Sequence, residues 1–85
     1  MMVRERAWRG ISKRLAIHYL TNLGGEQVDD DIVAADDWRA SIASDTVGVG
    51  PTLEITEVTV RFEGDDDVLD PLIERFAQKA MRAGG

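Results

Sequence analysis

Three clusters of aspartates and a single histidine are the side chains from which this chain could build a metal or catalytic site. The aspartates lie at positions 29–31, 36–37 and 65–67, and the histidine is His18. None of the clusters has the alternating ligands and central glycine of a calcium loop. With no cysteine and one histidine, the usual zinc ligand sets cannot be assembled, and no serine has a nucleophile-elbow context. We interpret the aspartates as hydrated surface and expect no catalytic residue, metal ligand, cofactor or enzyme activity.

The last residues of the chain, Arg82-Ala83-Gly84-Gly85, place two glycines beside the terminal carboxylate. This end is similar to the diglycine tails of ubiquitin-like modifiers and sulfur carriers, and the similarity implies a carboxylate that an adenylating enzyme activates as an acyl-adenylate, reached through a narrow channel that a tail without Cβ atoms can enter. Glycines also terminate helices, and chain ends fray. Two interpretations therefore stay open: Gly84 and Gly85 are a site of carboxyl activation, or they are the end of a helix.

The charge composition is acidic and poor in lysine. Sixteen Asp and Glu face ten Lys and Arg, for a net charge of −6, and only two of the bases are Lys. An aspartate-rich surface stays hydrated and dispersed when salt screens charges within a few ångströms. This composition predicts a halophilic protein, with an ordinary acidic protein as the alternative. Since no segment approaches the roughly 18 apolar residues of a membrane span and residues 1–10 do not resemble a signal peptide, we expect it in the cytoplasm.

Basic residues are concentrated near the N-terminus, at Arg4, Arg6, Arg9, Lys13 and Arg14. Residues 1–25 carry a net charge of +4 and the remainder a net charge of −10. The cluster could bind an anion or a partner, or it could neutralise the acidic part of the same domain. Trp8 could stack on a nucleobase if it were exposed, but we do not expect nucleic acid as a partner of so acidic a chain.

Two amphipathic helices are predicted from the spacing of apolar residues. Residues 10–23 carry a stripe at four-residue steps and stop at Gly24-Gly25. The second helix has apolar residues at helical spacing from Leu69 to Ala80. It begins either at an Asp70 N-cap followed by Pro71 or at an Asp67 N-cap.

Strand-like segments lie near 3–8, 26–34, 37–44, 46–50 and 53–63, with a turn at Gly50-Pro51. In the last segment Leu53 and Ile55 have one parity and Val58, Val60 and Phe62 the other, which predicts a bulge or bend near Thr56-Glu57. The order β-α-β(4)-α predicts a single α+β domain over residues 1–85, with a curved antiparallel sheet packed by two helices.

The predicted core contains residues from both helices and the central strands: Ile11, Leu15, Tyr19, Trp38, Ile42, Ile55, Val58, Val60, Phe62, Leu69, Leu72, Ile73 and Phe76. A sheet with uncovered edges in so small a chain predicts a homodimer, and the basic first helix could dock on an acidic surface of its twin.

The whole chain resembles the MoaD-related, C-terminal domain family. The segments that carry the resemblance are RERAWRGISKRLAIHYLTNLGG, VGVGPTLEITEVTVRFEG and LIERFAQKAMRAGG. The resemblance implies a TATA-binding-protein-like fold, and it implies an accessory or interaction role in molybdopterin or sulfur-carrier metabolism. The partners implied are an adenylating enzyme or a molybdopterin-synthase-type protein. The terminal diglycine is itself similar to the tails of ubiquitin-like modifiers and sulfur carriers, although such carriers have a β-grasp fold that the predicted order does not match. A small-ligand or nucleic-acid binder using the sheet face and the basic helix is the third alternative.

Overall fold

The computed structural model describes residues 2–84, with side-chain surroundings as far as residue 82. Five strands and two helices occur in the order β1 (Met2–Arg9), α1 (Lys13–Asn22), β2 (Glu26–Asp29), β3 (Ile32–Ala34), β4 (Trp38–Gly48), β5 (Glu54–Gly64) and α2 (Asp66–Gly84). The predicted order β-α-β(4)-α and the α+β class are confirmed.

All five strands form one antiparallel sheet in the order β1-β5-β4-β3-β2. Alternate residues of β4 and β5, such as Ala40, Ile42, Val60 and Phe62, are buried, whereas their neighbours in sequence are not. Because side chains alternate between the faces of a sheet, this pattern places one face against the helices. Helix α1 contacts β2, β3 and β4, and α2 contacts β1 and β5.

One hydrophobic core lies between the sheet and the helices. Nine of the predicted core residues are buried; Leu15, Tyr19 and Ile73 are half-buried at its margin. Ile55 is wrong as a core residue, since it lies on the face away from the helices, opposite Val47. The remaining buried residues of the core are Ala16, Leu20, Val33, Ala40 and Ala80.

The segment 26–34, predicted as one strand, is instead the β2–β3 hairpin. Its turn contains aspartates, and the Asp29 carboxylate accepts a hydrogen bond of 2.8 Å from the Asp30 N–H. Aspartate favours turns because its side chain can bond to nearby backbone in this way. The only register shift in the described sheet also lies here, between Gln27 and Asp29.

Segments 37–44 and 46–50, predicted as two strands, are joined in β4. The register between β4 and β5 is continuous from Trp38↔Gly64 to Gly48↔Glu54, so the bulge predicted near Thr56-Glu57 is absent. The apolar alternation weakens after Ile42 because β3 pairs with β4 only as far as Ser41. Beyond that point the β4–β5 hairpin extends past the core and requires no apolar face.

Helix α1 begins after Ser12, whose hydroxyl accepts a hydrogen bond of 3.1 Å from the Leu15 N–H. It ends before Gly24, which has the positive φ of 104° expected of a glycine stop. His18 is exposed on this helix.

Helix α2 begins at Asp66, earlier than either predicted start. The Asp65 carbonyl accepts hydrogen bonds from the N–H groups of Val68 and Leu69, and both predicted N-caps are therefore wrong. Asp66 and Asp67 occupy the first turn, where carboxylates are stabilised by the helix dipole. Pro71 consequently lies inside the helix rather than at its first position.

Candidate functional site

The basic N-terminal residues do not form a single patch. Arg4 lies on the helix-covered face of β1, and its guanidinium bonds to Asp70 and, at 2.7 Å, to Asp66 of α2. The hydrogen bond to Asp70 and the neighbouring negative charges raise the pKa of Arg4 above its ordinary value. Arg4 therefore attaches the first strand to the last helix.

Two other bases of the cluster also contact carboxylates of the same chain. Arg9 donates to Glu57 at 3.0 Å on the opposite face of the sheet, and Lys13 at the start of α1 pairs with Asp31. Arg6 bonds to the Glu5 carbonyl, and Arg14 is exposed on α1. This distribution favours neutralisation of the acidic domain over binding of an external anion.

Trp8 packs against the margin of the hydrophobic core. Its ring lies 4.5 Å from that of Phe76 and 6.3 Å, edge-on, from that of Phe62 (centroid distances). The side chain is half-buried by these contacts. Part of the indole surface is thus used within the protein, and the rest is exposed.

Helix α2 extends to Gly84. Gly85, the residue predicted to carry the activated carboxylate, lies outside the described residues.

An open groove of about 850 Å³ lies between the end of α1 and the start of α2. We call it the α1–α2 groove. Its apolar lining comes from both helices, from β2 and from the start of β4: Leu23, Val28, Trp38, Val68, Pro71 and Leu72. Trp38 and Leu72 are buried and form its base, whereas Val28 is 57% exposed.

The border of the α1–α2 groove is acidic. Four exposed carboxylates line it, from Glu26, Asp36, Asp37 and Asp67, against one arginine, Arg75. Because proline has no N–H, Pro71 also leaves the Asp67 carbonyl without its helical donor. The groove therefore offers acceptors and negative charge around an apolar base, a combination suited to a cationic or N–H-bearing group next to an apolar one.

Sequence patterns did not identify this groove. The sequence predicts Val28 within one strand over 26–34, and it places Ala34 and Trp38 in two different strands. The one local signal was Pro71 within an otherwise continuous helical stripe. That signal can be recognised only once α2 is known to begin at Asp66.

A second exposed apolar group lies at the end of the β4–β5 hairpin, where Val49 and Leu53 are 43% and 59% exposed. Val47 and Ile55 form a half-buried cross-strand pair next to them.

In the described residues no group of three or more His, Cys, Asp or Glu side chains could hold a metal ion. No helix within residues 2–84 is both long and apolar enough to span a bilayer.

Comparison with protein families matches residues 4–85 to the archaeal MoaD-like proteins, and the chain belongs to this family. Membership makes it a small protein related to the sulfur carriers. Comparison with curated proteins finds no match. The antiparallel pairing of β1 with β5 agrees with the fold predicted here rather than with the β-grasp order of a carrier.

Proposed function

We propose that the chain is a cytoplasmic accessory domain of sulfur-carrier or molybdopterin metabolism, without catalytic activity or cofactor of its own. It binds a basic segment of a partner protein in the α1–α2 groove. The partner is an adenylating enzyme or a molybdopterin-synthase-type protein. Family membership supports the metabolic setting. The observation that carries the proposal is the acidic border of an open groove with an apolar base.

The groove fits one kind of occupant better than others. A Lys or Arg side chain has an apolar stem that can lie along Val28 and Val68, and its charged end can reach the exposed carboxylates. An anionic ligand would meet four carboxylates and a single arginine, Arg75. Charge complementarity of this kind gives specificity and speeds association.

The experiment reverses the charge of the border. We expect Asp36→Lys/Asp37→Lys to weaken binding of the purified partner at least about tenfold, a loss of roughly 1.4 kcal/mol. The matched control is Asp29→Lys/Asp30→Lys, which changes the net charge equally where β2 meets its turn, at residues that do not line the groove. Affinities are measured by calorimetry at the lowest salt concentration at which all three proteins remain folded by circular dichroism.

Two results would contradict the proposal. Equal losses in both double variants would show a general effect of net charge rather than a site. Absence of binding by the unmodified chain to either class of partner would remove the accessory role itself.

A diglycine carrier is the second candidate, favoured by Gly84-Gly85 at the end of a sulfur-carrier-related chain. Since α2 includes Gly84, its last turn would have to unwind before the carboxylate could enter an adenylating enzyme. Mass spectrometry of the C-terminal peptide from the native host distinguishes the candidates. A thiocarboxylate or a lysine-linked remnant identifies a carrier, and an invariable free carboxylate excludes one.

The third function predicted from sequence, binding of nucleic acid or a small anionic ligand, finds less support. Three of the five N-terminal bases, Arg4, Arg9 and Lys13, contact carboxylates of the chain. The α1–α2 groove contains one arginine. We do not propose this function.

A further inference from the structure

The two edges of the sheet are protected to different degrees. Strand β2 has four residues and a register shift, and both features discourage pairing with another chain. Strand β1 has eight residues in unbroken register with β5 and contains no proline. The β1 edge therefore presents a regular row of backbone donors and acceptors.

The register identifies which backbone groups face outward. The Gly10 N–H donates to the Thr56 carbonyl of β5 at 3.1 Å. Because bonding alternates along an antiparallel pair, the even-numbered residues of β1 bond to β5. The N–H and C=O groups of Val3, Glu5, Ala7 and Arg9 point away from the sheet and are available to another strand.

We infer that β1 binds β1 of a second copy of this chain in antiparallel register, with Ala7 on the two-fold axis, to give one continuous sheet of ten strands. This surface is distinct from the α1–α2 groove, which adjoins β2 at the opposite edge. The inference does not rest on the proposed partner.

Charge selects this register among the symmetric alternatives. A two-fold axis normal to the sheet keeps each side chain on its own face, so one residue must lie opposite its own copy. An axis at Glu5 or Arg6 places identical charges opposite each other, which is destabilising. An axis at Ala7 places Glu5 of each copy opposite Arg9 of the other, which gives two pairs of opposite charge.

The Ala7 register continues pairings that already exist within each chain. Arg9 bonds to Glu57, and Glu5 lies opposite Arg61. Across the joined strands, charge would alternate along one row in the order Glu57, Arg9, Glu5 and Arg61, the last two from the second copy. Opposite charges in directly facing positions stabilise a sheet.

The helix-covered face is also compatible with this register. Arg6 would lie opposite Trp8 of the second copy in a closely spaced, non-hydrogen-bonded pair. Within residues 2–84 Arg6 contacts no carboxylate. A guanidinium over an indole is an attractive cation–π arrangement.

Single-cysteine variants test the register, since the chain has no cysteine. Facing Cα atoms in a hydrogen-bonded pair are about 5.5 Å apart, which a disulfide can bridge. We expect Ala7→Cys to form a covalent dimer under mild oxidation. In the control Val3→Cys the two positions would be about 27 Å apart, and this variant should stay monomeric on denaturing gels.

A proline variant tests the edge itself. Ala7→Pro removes an N–H that points away from β5, so the monomer should keep its fold while the dimer is lost. We expect sedimentation equilibrium to give twice the chain mass of 9.4 kDa for the unmodified protein. The variant should give the single chain mass, with circular dichroism reporting its fold.

Three outcomes would overturn the inference. They are a monomeric unmodified protein at every concentration, crosslinking of Val3→Cys as readily as Ala7→Cys, or a Glu5→Cys variant that crosslinks in preference to both. The cysteine variants keep the test decisive even if Ala7→Pro fails to fold.

Discussion

Gly24 and Gly25 are neighbours in sequence, but one is required for a local reason and the other for a tertiary one. The sequence predicts Gly24-Gly25 as a helix stop, and the positive φ of Gly24 accounts for that role. Gly25 is required for another reason: a Cβ there would lie 2.5 Å from Trp38 Cη2 and 2.5 Å from Val33 Cγ1. Both neighbours belong to the core, so neither can move freely.

Replacing Gly25 should therefore be costly. We expect Gly25→Ala to lower the free energy of unfolding by about 1–3 kcal/mol, as overpacking of a core does. Gly48→Ala is the matched control, because nothing lies within 4 Å of its Cβ position. Urea unfolding of both variants measures the difference, and an equal effect at the two positions would refute the explanation.

At the scale of elements, Pro71 makes α2 less stable than its sequence otherwise allows. The ring removes an N–H from within the helix and crowds the carbonyl four residues earlier. The same residue lines the α1–α2 groove, as does Asp67, whose carbonyl loses its donor. A helix imperfection thus coincides with the candidate site.

Removing this imperfection should strengthen the protein. We expect Pro71→Ala to raise the free energy of unfolding by about 1–3 kcal/mol, since proline is up to about 3 kcal/mol less favourable than alanine inside a helix. Pro51→Ala, in the β4–β5 turn, should instead lower the free energy of unfolding by about 0.4–1 kcal/mol, because alanine gives the unfolded chain more conformational entropy than proline does. Thermal unfolding compares the two, and a destabilised Pro71→Ala would contradict the prediction.

The elements also show what patterns in the sequence could predict. Amphipathic stripes predict both helices, and period-2 alternation predicts the inner strands. Both patterns arise because the buried positions of a helix or strand recur at regular spacing and require apolar residues. The strand boundaries predicted within 26–34 and 37–50 are wrong because burial does not determine the residue types there. The β2–β3 turn is exposed, and the outer part of β4 extends beyond β3. The groove could not be predicted for a different reason: its lining comes from elements that are far apart in sequence.

Across the whole molecule, charge is only partly balanced by contacts. The described ion pairs join bases to Asp31, Glu57, Glu63, Asp66 and Asp70, and other acids, such as Asp36, Asp37 and Asp45, remain exposed. At low ionic strength these exposed carboxylates repel one another. Salt shortens the range of that repulsion from about 10 Å at 0.1 M to about 3 Å at 1 M.

Stability should therefore rise with salt. We expect the melting temperature to increase by at least about 5 °C between about 0.1 M and 2 M potassium chloride, which corresponds to roughly 1 kcal/mol. The variant Asp29→Asn/Asp30→Asn carries less excess charge and should show a smaller increase. A melting temperature that is independent of salt would count against the halophilic interpretation.

The pairing of β1 with β5 has a consequence for synthesis on the ribosome. Trp8 and Val58 face each other although roughly 50 residues separate them in sequence, and closing so long a loop is entropically unfavourable. The β4–β5 hairpin and the β2–β3 hairpin can form from neighbouring segments, whereas β1 must wait until β5 has left the exit tunnel. During that interval a nascent chain displays Met2–Arg9 unpaired on both sides, and two chains growing on adjacent ribosomes of one message would present these segments to each other before either sheet is complete.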